Sequence, residues 1–115
     1  MEESILTSVK KHLGITAEYT HFDDVLIEHI NSVFFILTQM GVGPVGGFYI
    51  EDDGATWSEY IEDPMTYQAV KSYVQKKVQL LFDPPLSSAH IEAINRQISE
   101  LEWRLNFEAE TDTTR

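Results

Sequence analysis

The chain has 115 residues, 43% of them hydrophobic and none of them cysteine, which suits one folded domain and excludes disulfide bonds and thiol chemistry. Its formal net charge is −11, and no lysine or arginine occurs between Lys11 and Lys71. Because nucleic-acid binders neutralise phosphates with clustered cations, this distribution argues against sequence-specific binding of DNA or RNA.

No signal peptide and no membrane span are indicated. The chain opens with Glu2 and Glu3, whereas a secretory leader is basic and then apolar. The longest apolar run covers residues 33–37, far fewer than the roughly 20 residues that cross a bilayer. We expect a protein without membrane contacts.

The first two predicted helices cover residues 4–13 and 22–40. Apolar side chains recur at helical spacing in the first, and Gly14 stands where glycine often follows a helix end. In the second, Asp23 and Asp24 place negative charge at the N-terminus, where the helix dipole favours it. Apolar residues cover most of its circumference, a pattern typical of a helix that is central in its domain or buried against another subunit.

Regular structure breaks off over residues 41–63, which form a long loop for a small domain. Loops of this length are usually functional or disordered. Large apolar side chains recur through this one and favour an ordered loop that packs on something: Phe48, Tyr49, Ile50, Trp57, Tyr60 and Ile61.

The third predicted helix has clear signals at both ends. Asp63 suits its N-cap and Pro64 its first position. Pro84 and Pro85 end it near Phe82, because proline lacks a backbone N–H and bars the preceding residue from helical geometry. Its broad apolar face comprises Tyr67, Val70, Tyr73, Val74, Val78, Leu80 and Leu81.

The fourth predicted helix starts after Ser87 or Ser88 and runs to Phe107. Its apolar residues recur every three or four positions, a narrow seam of the coiled-coil kind: Ile91, Ile94, Ile98, Leu101 and Leu105. The polar residues 108–115 are expected to form a flexible acidic tail. The prediction is thus a mostly α fold, with residues 1–107 forming a compact bundle of about four helices and a long ordered loop between helices 2 and 3.

The glycines at positions 41, 43 and 46 match the spacing of a dinucleotide-binding motif. That motif needs a strand before it and a helix after it, so that the helix N-terminus holds the pyrophosphate. Here a helix precedes the glycines and Pro44 interrupts them. The sequence therefore favours a flexible turn, and no cofactor is predicted.

Metal binding is also poorly supported. Glu51, Asp52, Asp53 and Gly54 invite a calcium interpretation, but Tyr60 stands where the calcium loop requires a glutamate, so a solvated acidic turn is favoured. No two histidines have the i, i+4 spacing of a zinc-binding helix. Nor do the polar residues suggest a nucleophile with its base, and we expect no catalytic site.

Four stretches of the chain resemble the head–tail connector (adaptor) proteins of tailed bacteriophages. The most specific are the elbow Leu-Phe-Asp-Pro-Pro at residues 81–85 and the run Glu-Leu-Glu-Trp-Arg-Leu-Asn at residues 100–106. Leu-Gly-Ile at residues 13–15 and Gly-Val-Gly-Pro at residues 41–44 are similar to family features as well. The resemblance covers nearly the whole chain.

This resemblance implies a structural virion protein without enzymatic activity. Such proteins form a homo-oligomeric ring under the portal, through which packaged DNA passes, and they receive a stopper or tail-completion protein on the far side. The implied location is the head–tail interface of the virion and, during assembly, the host cytoplasm.

Two sets of residues are candidates for these contacts. Ring closure by head-to-tail contacts needs two different side surfaces, for which the loop and the outer faces of the second and fourth helices are candidates. The predicted interface residues are Phe48, Tyr49, Trp57, Tyr60, Trp103 and Phe107. The residues Glu51, Asp52 and Asp53 are predicted to face the channel, where negative charge would keep DNA from sticking.

A second class of protein shares the acidity and the helices. A small acidic inhibitor that mimics DNA would carry a similar net charge, but it would not need the proline elbow or the apolar seam. A small subunit of a packaging enzyme would require a basic helix-turn-helix, which this sequence lacks.

Overall fold

Five helices and their connections form the part of the chain that the structure, a computed structural model, describes: residues 3–113, with side chains to Phe107. The helices are α1 (Ile5–His12), α2 (Asp23–Gln39), α3 (Trp57–Tyr60), α4 (Pro64–Phe82) and α5 (Ser88–Thr113). Helix α4 is central, because it contacts each of the other four. This arrangement confirms the predicted mostly α bundle. None of these five helices is apolar enough over a sufficient length to cross a bilayer.

The helix ends follow from the capping residues. The Ser4 hydroxyl accepts a hydrogen bond from the Thr7 amide at 3.1 Å and starts α1. Asp63 is the N-cap of α4 with Pro64 at the first position, as predicted, and its carboxylate accepts a hydrogen bond from Thr66 at 2.7 Å. The first N–H groups of a helix have no acceptor within the helix. A capping residue provides such an acceptor or a backbone conformation from which the helix can start.

The core lies where α2, α4 and α5 meet, with α1 closing one side. A fully buried aliphatic or aromatic side chain contributes about 1.5–3 kcal/mol through its removal from water. Helix α2 buries Leu26, Ile30, Val33, Phe34 and Leu37, α4 buries Val70, Tyr73, Val74 and Val78, and α5 buries Ile94, Ile98 and Leu105.

Polar contacts with buried members help to connect the helices. The buried Lys10 ammonium lies 2.8 Å from the Asp23 carboxylate and donates to the Ala17 carbonyl at 3.0 Å, which joins α1, the following loop and α2. The buried Tyr73 hydroxyl donates to Glu102 at 2.8 Å and joins α4 to α5. Burial, followed by the hydrogen bond and the negative charge of Glu102, raises the pKa of Tyr73 above its ordinary value.

The structure differs from the sequence prediction in three places. The four-residue helix α3 lies inside the predicted loop. Helix α5 continues to Thr113, beyond the predicted end at Phe107, and residues 114–115 lie outside the described part. Leu81, assigned to the broad apolar face of α4, is exposed.

Gly43 is the glycine whose position is most constrained. It has a φ of +88°, which side chains rarely adopt, and a Cβ atom there would lie 2.7 Å from the Tyr60 ring. Gly14 has a similar φ of +80° with open space around it, and Gly46 has neither constraint. Substitutions at these three glycines can therefore distinguish the cost of backbone strain from the cost of steric crowding.

We predict that Gly43→Ala lowers the free energy of unfolding by about 2–4 kcal/mol, from backbone strain and displacement of the Tyr60 ring. Gly14→Ala should cost about 1–2 kcal/mol from strain alone. Gly46→Ala, the matched control, should change stability by less than about 1 kcal/mol. Denaturant unfolding of the three variants measures this order, and equal costs at Gly43 and Gly14 would contradict the crowding at Tyr60.

Candidate assembly surfaces

The Asn31 side chain of α2 holds one point of the loop between α2 and α4. The Asn31 Nδ2 group donates to the Ile50 carbonyl at 2.9 Å, and the Ile50 amide donates to Asn31 Oδ1 at 2.8 Å. An asparagine can donate and accept at once, so it replaces the two backbone partners that Ile50 would find in a strand. Residue 50, itself buried, is therefore held in one position.

A second set of contacts fixes the far end of the loop to α1. The Ile5 amide donates to the Ala55 carbonyl at 2.8 Å. Thr56 and Glu59 then form a capping box that starts α3, in which the Thr56 amide donates to Glu59 at 3.2 Å. Within α3, the Trp57 indole N–H donates to the buried Ser8 hydroxyl of α1 at 2.9 Å.

Four aromatic side chains pack under the loop. The Phe34 ring of α2 lies 5.3 Å from Phe48, 6.2 Å from Trp57 and 4.7 Å from Tyr60, measured between ring centroids. These separations are in the range favoured by aromatic pairs. Burial raises the pKa of the Tyr60 hydroxyl above its ordinary value. The loop is thus ordered from within the subunit.

The six predicted interface residues fall into two groups. Trp57 and Tyr60 are 2% and 4% exposed and belong to the core, and Phe48 is partly buried against them. Because these three side chains are engaged within the subunit, we do not propose them as contact residues. The other three are exposed to solvent: Tyr49 (66%), Trp103 (66%) and Phe107 (58%).

Glu51, Asp52 and Asp53 form an exposed turn, hereafter the acidic tip. The Asp52 carboxylate accepts a hydrogen bond from the Gly54 amide at 2.8 Å, which closes the turn locally. Both ends of the turn are fixed, by the Asn31–Ile50 pair before it and the Ile5–Ala55 hydrogen bond after it. The tip therefore presents three carboxylates to solvent from a defined position.

A depression of about 500 Å³ lies between the C-terminal end of α2 and the second half of α5, hereafter the α2–α5 groove. Trp103, which borders it, stacks on Phe107 with ring centroids 5.6 Å apart. The groove is lined by Ile36, Gln39, Met40, Glu102, Trp103 and Asn106.

A second depression, of about 340 Å³, lies between α4 and α5 and is mostly polar in its side chains. Its cations are already engaged: Lys76 donates to the Ser72 hydroxyl at 2.8 Å, and Arg104 donates to Glu100 at 2.8 Å. Leu101 and Gln97 complete the lining. An exposed ion pair such as Arg104–Glu100 contributes little to stability, so Arg104 can exchange its partner at low cost.

The titratable side chains give no indication of a metal site. Among the described residues, no three histidines, aspartates or glutamates lie close enough together to hold a metal ion. The surfaces that stand out are the acidic tip, the exposed aromatic residues and the two depressions.

The family model for phage connector proteins matches residues 5–112 of the chain, and the chain therefore belongs to the phage connector protein family. This confirms the resemblance seen in the sequence. The comparisons with curated proteins and with solved structures return no match. The family is one of structural proteins, and membership implies a place in the virion and partners in assembly of the phage head and tail.

Some parts of these surfaces were not predicted from the sequence. Helix α3 was missed, although Thr56-Trp57-Ser58-Glu59 has the pattern of a capping box, which would have signalled a helix start. The α2 side of the groove, Ile36 and Met40, was missed because both residues fit an apolar helix with no preferred direction.

Alanine substitutions should separate the buried aromatic residues from the exposed ones. We predict that Trp57→Ala lowers the free energy of unfolding by about 3–5 kcal/mol, since it removes a large core side chain and the donor to Ser8. Tyr49→Ala should change it by less than about 0.5 kcal/mol. Thermal or denaturant unfolding measures both, and a comparable loss for Tyr49→Ala would show that Tyr49 is part of the core.

Proposed function

We propose that this connector protein forms a homo-oligomeric ring beneath the portal, through which packaged DNA passes. The observation that carries the proposal is the family match over residues 5–112. The ring would act as an adaptor, with the portal on one side and a stopper or tail-completion protein on the other. The subunits would assemble in the host cytoplasm and remain at the head–tail interface of the virion, with no catalytic role.

Two unlike sides of the subunit support a ring. A ring closed by head-to-tail contacts joins one surface of each copy to a different surface of the next. One candidate side is the anchored loop with the exposed Tyr49, which is tied to α1 and α2. The other is the polar depression between α4 and α5, lined by Lys76 and Arg104.

The acidic tip supports a channel that does not retain DNA. Carboxylates repel phosphates, and a lumen lined by them would let a duplex slide without being held. The tip is exposed and fixed at both ends, so its charge would occupy a constant position in each subunit. We propose that Glu51, Asp52 and Asp53 face the channel.

The alternative is a small acidic inhibitor that mimics DNA. It is favoured by the net charge of −11 and by the absence of lysine and arginine between Lys11 and Lys71. Such an inhibitor would bind a nuclease or polymerase as a monomer and would ignore the portal. The two functions therefore predict different complexes.

Light scattering on the purified protein, alone and mixed with the portal ring of its phage, tests the proposed function. We expect a ring in solution or a complex with the portal that contains several copies of the chain. A monomer that ignores the portal but binds a nuclease or polymerase tightly would support the inhibitor instead. A monomer that binds neither would overturn both functions.

The channel role of the acidic tip has its own test. We predict that the combined variant Glu51→Gln, Asp52→Asn and Asp53→Asn slows DNA ejection from assembled particles, because phosphates would meet a less repulsive lumen. The substitution Asp52→Asn keeps a side-chain oxygen that can accept the hydrogen bond from the Gly54 amide, so the turn should persist.

The matched control removes three charges elsewhere on the exposed surface, through Glu18→Gln, Asp24→Asn and Glu28→Gln. It should leave ejection unchanged. Ejection and DNA retention by the tip variant equal to those of the unmodified protein would place the tip outside the channel.

A further inference from the structure

The α2–α5 groove combines exposed apolar surface with a lining that lacks cations. Ile36, Met40 and Trp103 supply its apolar part. Trp103 is 66% exposed and its stacking partner Phe107 is 58% exposed. Two adjacent aromatic side chains left this open on one helix are a common feature of interaction sites.

The one charged side chain that lines the groove is acidic. The polar lining of the groove is Gln39, Glu102 and Asn106, with no lysine or arginine. Helix α2 contains no basic residue in its last turn, so the negative end of its dipole, next to Gln39 and Met40, has no cation of its own helix to offset it. Within the subunit, the Glu102 carboxylate accepts the Tyr73 hydroxyl at 2.8 Å and lies 3.9 Å from the partly buried Lys77. A carboxylate has about four acceptor sites, so Glu102 keeps capacity for a further donor.

We infer that the α2–α5 groove binds an amphipathic helix of another virion protein, one with an apolar stripe flanked by lysine or arginine. This inference rests on the proposed function, in which the chain docks on a neighbouring protein. Helices commonly bind in grooves through apolar anchors three or four residues apart. Flanking cations would complement Glu102 and the C-terminal end of α2, and charge complementarity of this kind determines specificity.

A second copy of the chain fits the groove less well than such a helix, because the apolar faces of its lysine-bearing helices α1 and α4 are buried in its own core. In α1, Ile5, Leu6 and Val9 are buried and Lys10 is paired with Asp23. The apolar face of α4, next to its lysines, is buried against α2 and α5. Nucleic acid is excluded by the sign of the charge, since phosphates would be repelled.

The two tryptophans provide a local probe of binding. Trp57 is buried and Trp103 is exposed, so a shift of fluorescence to shorter wavelength on binding reports the desolvation of Trp103. The ligand is a synthetic helical peptide with leucines three and four residues apart and lysines on both flanks. A peptide with glutamate in place of every lysine is its control. We expect the lysine peptide to shift the emission and the glutamate peptide to leave it unchanged.

Variants at Gln39 test the charge without altering the core, because this side chain is exposed. Gln39→Lys should weaken binding of the lysine peptide by about tenfold, equivalent to about 1.4 kcal/mol, whereas Gln39→Glu should preserve or strengthen it. Trp103→Ala should also weaken binding, here followed by calorimetry. Phe35→Ala is its control, since Phe35 is 63% exposed on α2 and does not line the groove.

Three results would overturn the inference. Equal binding of the two peptides would remove the role of charge, and an unchanged Trp103 emission at saturating lysine peptide would place binding elsewhere. Self-association of the free protein that Trp103→Ala abolishes would make a second copy the occupant.

The portal ring separates failure of this inference from failure of the proposed function. If the unmodified protein binds the portal or the stopper, Gln39→Lys and Trp103→Ala should weaken one of those complexes. Full binding of both partners by both variants would overturn the groove assignment and leave the connector function intact. Absence of binding by the unmodified protein to either partner would overturn the proposed function itself, whatever the peptides do.

Discussion

The hydrogen bond from the Trp57 indole to the Ser8 hydroxyl is the contact on which the loop depends. A buried N–H group without an acceptor lowers the folding stability by about 1–3 kcal/mol. A buried indole therefore needs a hydrogen-bond acceptor within reach of its N–H group. Ser8 supplies that acceptor and in turn donates to the Ile5 carbonyl at 2.8 Å. Next to Trp57, the rings of Tyr60 and Phe48 pack together, and Tyr60 also packs on Phe34. The acidic tip, which lies between Phe48 and Trp57 in the chain, is exposed to water.

Polar side chains, as well as apolar ones, therefore determine which residues of this protein are buried. The Asn31 side chain accepts from the Ile50 amide, the Ser8 hydroxyl accepts from the Trp57 indole, and the Glu102 carboxylate accepts from the Tyr73 hydroxyl. Each of these buried polar groups has a specific partner on another element, which favours a single arrangement over alternatives with equal apolar burial.

The helices could be predicted because their signals are local. Periodicity, Asp63-Pro64 and Pro84-Pro85 define α4 without tertiary information. The loop could not be predicted in the same way, since it has no period that tells an inward aromatic residue from an outward one. Tyr49 and Ile50 are neighbours with opposite exposure, decided by the reach of Asn31. Likewise, the α2–α5 groove is formed by residues far apart in the sequence. Its position depends on the tertiary arrangement of the two helices, which a local sequence pattern does not predict.

Helix α1 has only eight residues, fewer than the roughly 12–15 at which an isolated helix becomes even marginally stable in water. Its helical state is therefore maintained by docking, through Ser8, Lys10 and the Ile5 amide. The Ile5 amide donates its hydrogen bond to the Ala55 carbonyl of the loop, so hydrogen exchange at this one amide reports separation of the loop from α1. The first amide of α1 is thus a natural probe of loop closure, readable without any label on the loop itself.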